Sequence, residues 1–165
     1  MKKLINIKSK INVYKNKSIK VSGDKSLSIR FAILASLAVG KSKATNLLNS
    51  GDVISTLSCL KKLGIIIKYN KKFCEITGKG LGGFNNKKNL TLNAGNSGTL
   101  GRLLLGLLVH SNKKIKLIGD KSLSKRDFSR VTEPLGKFGA KFFFKKKNKL
   151  PLSIMGSKLT NPINY

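Results

Sequence analysis

Apolar and polar residues alternate over Leu4–Ile11 and again over Ser18–Ser22, the period-two pattern of half-buried strands, with Lys15-Asn16-Lys17 as the turn between them. The period then changes. Leu27, Phe31, Leu34, Ala35 and Ala38 share one face of a helix predicted over Leu27–Val39, with Gly40 as its stop. Lys41–Leu48 reads as a strand, and Asn49-Ser50-Gly51-Asp52 as the cap of a helix over Val53–Leu63 closed by Gly64. Ile65–Tyr69 and Phe73–Thr77 form a predicted hairpin turning at Asn70-Lys71-Lys72.

After a Gly/Asn/Lys linker, Leu81–Asn89, the order starts again: strand Leu90–Leu92, helix Ser97–His110, strand Lys113–Ile118 and helix Arg126–Phe138, stopped by Gly139. A second hairpin follows over Ala140–Phe144 and Leu150–Ile154. Lys61-Lys62-Leu63-Gly64 and Gly136-Lys137-Phe138-Gly139 align 75 positions apart. The chain is therefore expected to be an α/β protein with an N-terminal strand segment at 1–17 and two β-α-β-α-β-β units at 18–80 and 90–156. Residues 81–89 join the two units, and 157–165 begin a further unit that breaks off, with Pro162–Tyr165 starting another strand.

Composition narrows the function classes. Lys+Arg 34 against Asp+Glu 6 gives a formal charge of +28, which would attract nucleic acid, anionic lipid or small anionic substrates. The lysines are spread over loops at 71–72, 87–88 and 145–147, as compositional drift would leave them. The two cysteines, Cys59 and Cys74, match no metal-ligand spacing and fall in apolar-periodic segments, which suggests reduced core thiols and a cytoplasmic setting. Met1–Ile11 lacks the apolar stretch of a secretory signal, and Leu103–Val109 is far shorter than the roughly 20 residues of a membrane span.

Candidate chemistry gathers at predicted helix starts. Gly23-Asp24 turns the chain into the first helix, Ser26 stands where an N-cap oxygen is wanted, and Lys25 and Arg30 add two cations. Free N–H groups at a helix start attract phosphate or carboxylate. Gly95-Asn96-Ser97-Gly98-Thr99 opens the second unit's helix with two glycines, two hydroxyls and Arg102 one turn in. It is not a Walker A loop, because the Gly-Lys-[Ser/Thr] ending is missing. Gly119–Ser124 repeats the Gly-Asp-Lys-Ser-Leu-Ser of 23–28 and leads to Arg126, whose fork suits an anion. Gly78–Gly83 satisfies G-x-G-x-x-G, yet neither a helix nor an acidic residue follows at the required places. His110, the one histidine, ends an apolar helix, which leaves no histidine-based triad; among the acids, Asp52 is the most site-like.

These segments resemble the 5-enolpyruvylshikimate-3-phosphate synthase family. Gly23–Arg30 is similar to its Gly-Ser-Lys-Ser-x-Ser-x-Arg segment, and Asn46–Val53 to its Asn-Leu-Leu-x-Ser-x-Asp-Val. Ala94–Thr99 resembles its Gly-Asn-[Ser/Ala]-Gly-Thr loop, and Gly119–Arg126 with Val131–Gly139 its Gly-Asp-x-Ser-Leu-x-x-Arg-Pro segment and following helix. The sister family, UDP-N-acetylglucosamine enolpyruvyl transferase, lacks the Lys-Ser-x-Ser-x-Arg pattern. The resemblance implies the enolpyruvate transferase fold, an inside-out α/β barrel of repeated units, here incomplete. It implies transfer of the enolpyruvyl group of phosphoenolpyruvate to the 5-hydroxyl of shikimate 3-phosphate, with no cofactor or metal and a monomeric full-length enzyme. By motif, Lys25, Ser26 and Arg30 would hold shikimate 3-phosphate. Lys25, Gly98 and Arg126 would hold phosphoenolpyruvate, Lys25 also being the catalytic candidate. Asp52, Asn96, Thr99 and Arg102 would support them.

Three departures stand out. Asp127 replaces the family's Pro beside Arg126, Gly101 replaces a bulkier helix residue, and the third unit and second lobe, which carry the family's catalytic Asp and further clamps, do not follow. The chain is therefore expected to be an N-terminal fragment inactive alone. The rival reading is a small basic nucleic-acid-binding protein, for which Phe142–Phe144 beside Lys145–Lys147 is the nearest to an aromatic platform.

Overall fold

The computed structural model describes residues 21–70, 72–84, 90–158 and 160–164. The strands expected at Leu4–Ile11 and over most of Ser18–Ser22, the turn between them, most of the 81–89 linker and Tyr165 lie outside the described residues. Helix α1 (Lys25–Leu37) leads into strand β1 (Val39–Thr45), helix α2 (Gly51–Lys62), and the hairpin β2 (Ile66–Tyr69) and β3 (Phe73–Lys79). These strands form an antiparallel sheet in the order β1-β3-β2. Then come β4 (Thr91–Asn93), α3 (Gly98–Leu107), β5 (Ile115–Ile118), the short α4 (Lys121–Lys125), α5 (Ser129–Lys137), β6 (Lys141–Phe144) and β7 (Leu152–Met155). The second sheet runs β4-β5-β7-β6, with β4 parallel to β5 and the other pairs antiparallel. Strands β5, β7 and β6 thus repeat the arrangement of β1, β3 and β2.

The repeat extends to hydrogen bonds. At the end of α2, Gly64 N donates to Lys61 O and Ile65 N to Leu60 O; at the end of α5, Gly139 N donates to Gly136 O and Ala140 N to Leu135 O. Gly64 (φ 85°) and Gly139 (φ 113°) take the left-handed conformation that ends a helix cheaply only as glycine.

Three expectations need correction in the first half. Helix α1 ends at Leu37, not at Val39 before a stop at Gly40, because Val39 and Gly40 are already paired with Lys79 and Gly78 of β3. Residues 46–48, expected at the end of that strand, instead cross over Gly23, where a side chain would meet Asn46 O at 2.0 Å. The face expected from Leu27, Phe31, Leu34, Ala35 and Ala38 is only in part the buried one. Ala35 is buried and Phe31 packs against the core, but Leu27 and Leu34 remain 68% and 65% exposed, and Ile29, Ala32 and Ile33 are buried instead. The helix is apolar all round, so its own pattern does not choose a face.

The core joins the two sheets through the helices. α1 packs on β1, β3, α2 and α3, and α5 packs on α3 and β6. α2 lies along the edge of β4, where Cys59 Sγ donates to Asn93 O (3.3 Å) and Lys62 Nζ to Thr91 O (3.2 Å). The carbonyl just before this edge, Leu90 O, instead accepts from the Lys116 N–H of β5. The β4 edge of the second sheet is thereby covered. Both cysteines are buried and unpaired, as expected, and burial pushes the Cys59 thiol up to about 11. The final segment, 160–164, forms no strand; Asn161 N donates to Phe138 O.

Candidate active site

The N-cap of α1 is Asp24, not Ser26: the Asp24 carboxylate accepts from Leu27 N at 2.7 Å. Ser26 lies one residue into the helix, where its Oγ accepts from Arg30 Nη1 at 2.6 Å. Ser28 is buried, donating to Asp24 O and accepting from Leu48 N, and so ties the helix start to the crossing segment. Lys25 reaches across to α2, its Nζ 3.5 Å from the Asp52 carboxylate. The starts of α1 and α2 are therefore adjacent. Ser50 holds the backbone N-cap position of α2, but its hydroxyl makes no capping bond.

One turn along α2, Ser55 approaches the second cluster; a methyl group on Gly95 would fall 3.0 Å from its hydroxyl. Gly95 belongs to the loop between β4 and α3, and Gly119 to the loop between β5 and α4. The two loops leave the carboxyl ends of parallel strands, the usual place for ligands in α/β sheets. They are stitched together, Ala94 N donating to Ile118 O and Asp120 N to Gly95 O, both at 2.9 Å. Ser97, expected as the first helical residue, is instead the N-cap of α3, its side chain accepting from Leu100 N.

Around Gly98 the cations converge. A methyl group there would lie 2.8 Å from Arg126 Nη1 and 3.1 Å from Arg102 Nη1. Arg126 Nη2 donates to Asn96 Oδ1 at 3.2 Å, and Asn96 Nδ2 donates to Asp120 Oδ2 at 2.6 Å. The Arg102 guanidinium sits 5.6 Å above the centre of the buried Phe128 ring. Thr99 is half-buried in the first turn of α3, apart from these bonds.

Arg126 does not start a helix. The helix expected over Arg126–Phe138 is broken: Arg126 closes α4 in an extended conformation, and α5 begins at Ser129. Between them Phe128 is fully buried, and Gly101 supplies the room, since a methyl group there would meet its ring at 3.3 Å. Asp127 turns its carboxylate to Ser129, accepting from both the backbone N–H and the hydroxyl. These bonds, with smaller help from Lys149 and Arg102, hold its carboxyl below the usual range. The negative charge beside Arg126 is thus engaged locally; Arg102 faces the Asp127 carbonyl, 3.5 Å away.

The chain thus brings together Lys25 with Asp52, Ser26 with Arg30, and Asn96, Gly98 and Arg102 with Arg126. Sequence reasoning missed Asp120, Ser55 and Phe128. Asp120 carried a signal, because it occupies the Asp24 position of the repeated Gly-Asp-Lys-Ser-Leu-Ser. His110 is exposed just after α3, away from this rim. Phe142 and Phe144 pack against the core, leaving Phe143 exposed under Lys114 Nζ, 3.9 Å from its ring centre. A broad aromatic platform is therefore missing among the described residues. No helix among them is long and apolar enough to cross a membrane.

Cations thus line a rim at the helix starts of an α/β protein, and comparison with known proteins gives the family. The sequence profile of EPSP synthase (3-phosphoshikimate 1-carboxyvinyltransferase) matches residues 10–165, and the chain belongs to this family. The 3-phosphoshikimate 1-carboxyvinyltransferases of Sulfurihydrogenibium sp. and Ruthia magnifica are 46% and 45% identical to it, covering 87% and 89% of this chain. The solved EPSP synthase of Acinetobacter baumannii superposes with a TM-score of 0.82 at 34% identity over 89% of the chain. The chain spans about a third of the length of these relatives, 33% in each case.

Proposed function

We propose that this chain carries part of the substrate-gripping surface of a synthase that transfers the enolpyruvyl group of phosphoenolpyruvate to the 5-hydroxyl of shikimate 3-phosphate. On this reading Ser26 and Arg30, with Lys25, grip shikimate 3-phosphate. Lys25, Gly98 and Arg126 grip phosphoenolpyruvate, with Asn96 and Arg102 beside them. The observation that carries the reading is Gly98, a residue without a side chain at the start of α3, flanked by two guanidinium groups. Such a floor admits a doubly charged anion close to the backbone N–H groups and supplies fork-shaped donors to its oxygens. The leaving phosphate gains charge as the C–O bond breaks, and fixed cations stabilise that charge without rearranging. Lys25 is also the catalytic candidate on this reading, and the family's catalytic Asp belongs to parts beyond this third.

The same reading divides the chain into two consecutive units, 18–80 and 90–156, and places it in the cytoplasm as part of a monomeric enzyme needing no cofactor. Calorimetric titration tests it. The 165-residue protein should bind shikimate 3-phosphate and phosphoenolpyruvate, with Arg30→Ala weakening the first and Arg126→Ala the second, each by tenfold or more, about the worth of one charge-assisted bond. Equal loss of both ligands in either variant, or binding that collapses with salt irrespective of the variant, would contradict it.

A further inference from the structure

We propose that Asp120 is a positioning residue for Arg126, acting through the side-chain amide of Asn96; the inference rests on the reading of Arg126 as a phosphoenolpyruvate grip. Asp120 divides its carboxylate between two tasks. Oδ1 accepts from Leu123 N at 2.7 Å and starts α4, while Oδ2 accepts from Asn96 Nδ2 at 2.6 Å. An ionised carboxylate can only accept, so it compels the Asn96 amide to turn its NH2 inward and its oxygen outward. That oxygen receives Arg126 Nη2 at 3.2 Å, leaving Nη1 over Gly98.

The three side chains are fixed at both ends. The Asp120 N–H is anchored to Gly95 O, one residue before Asn96, and Arg126 N donates to Leu123 O, closing the same turn that Asp120 opens. The Leu123 N–H and the Asn96 amide hold the Asp120 carboxyl below its usual range, which keeps it an acceptor well below neutrality. Arg126 closes a helix of only five residues and has no long element of its own to orient it. The relay supplies that orientation. In the first half Arg30 is instead held by Ser26 of its own helix, without a carboxylate between.

Asp120→Asn separates this role from helix capping. The variant retains Oδ1 for Leu123 N but presents an NH2 to Asn96. The Asn96 amide must then turn over and offer its own NH2 to Arg126, which cannot accept it. The dissociation constant for phosphoenolpyruvate should rise about tenfold, one displaced charge-assisted bond. Shikimate 3-phosphate binding should stay as it was. A purely structural role would weaken both ligands together.

A ligand-free readout keeps this apart from the functional reading. The 15N guanidinium resonances of Arg126 should show restricted rotation in the parent protein and averaging in Asp120→Asn. The exchanged pair Asn96→Asp with Asp120→Asn restores the donor–acceptor order and should restore the restricted signature. If the parent protein fails to bind phosphoenolpyruvate, the functional reading falls and the resonances alone decide the relay. Unchanged Arg126 resonances in Asp120→Asn, or no recovery in the exchanged pair, would overturn the proposal.

Discussion

Asp24-Lys25-Ser26-Leu27-Ser28 and Asp120-Lys121-Ser122-Leu123-Ser124 are the same five letters, and they begin in the same way. Each aspartate caps its helix by accepting from the leucine N–H three residues on, at 2.7 Å in both. Their continuations differ. From Asp24 the helix runs 13 residues, because Ile29, Ala32, Ile33 and Ala35 find the core along its length. From Asp120 it lasts five residues, because Phe128 enters the core at a point a straight helix does not reach, and Asp127 turns the chain onto Ser129. Local chemistry sets where a helix starts; the destination of the next large apolar side chain sets where it ends. The early ending is what leaves Arg126 in an extended conformation facing Asn96 and Gly98.

Removing that destination should have the largest effect. Phe128→Ala empties a fully buried site and removes the ring beneath Arg102. It should cost about 3–5 kcal/mol in urea unfolding. If the variant retains its stability, the break between α4 and α5 has another cause. The two caps come next. Asp24→Ala and Asp120→Ala should each cost about 1 kcal/mol of stability. They should part in phosphoenolpyruvate titrations, where Asp120→Ala also releases Asn96 and Asp24→Ala leaves that network untouched. Equal effects on this ligand would erase the distinction between the two stretches.

The smallest effect is in pH dependence. Asp120 and Asp127 are held below the ordinary aspartate value of 3.8, by Leu123 N with Asn96 and by Ser129 respectively. A depressed carboxyl contributes stability that is fully present above its unfolded value and is lost as pH falls through its folded value. Thermal midpoints should therefore be level near neutrality and drop below about pH 4, and Asp120→Asn with Asp127→Asn should flatten part of that drop. A drop unaltered by both substitutions would assign it to other carboxyls.

Much of the fold was legible where local chemistry decides it. Gly64 and Gly139 announced their helix ends, and the hairpins their strands. What escaped depended on distant partners. The buried face of α1 was unreadable because apolar residues lie all round it, so the sheet and α2 make the choice. The end of α1 was misplaced at Val39 because pairing with β3 already begins there. The site was half legible in the same sense. Lys25, Arg30, Gly98 and Arg126 stood in recognisable patterns, while Asp120 gained its second partner only when two loops 24 residues apart met.

The central claim is that two different anions are gripped at two places on one rim, and a residue-resolved map of backbone amide shifts in the 15N-labelled protein tests it most directly. Shikimate 3-phosphate should move the amides of Ser26–Arg30, phosphoenolpyruvate those of Gly95–Thr99 and Arg126, and both ligands that of Lys25. Shifts confined to the lysine-rich segments such as 145–147, and alike for both ligands, would show that the net charge rather than the rim captures them.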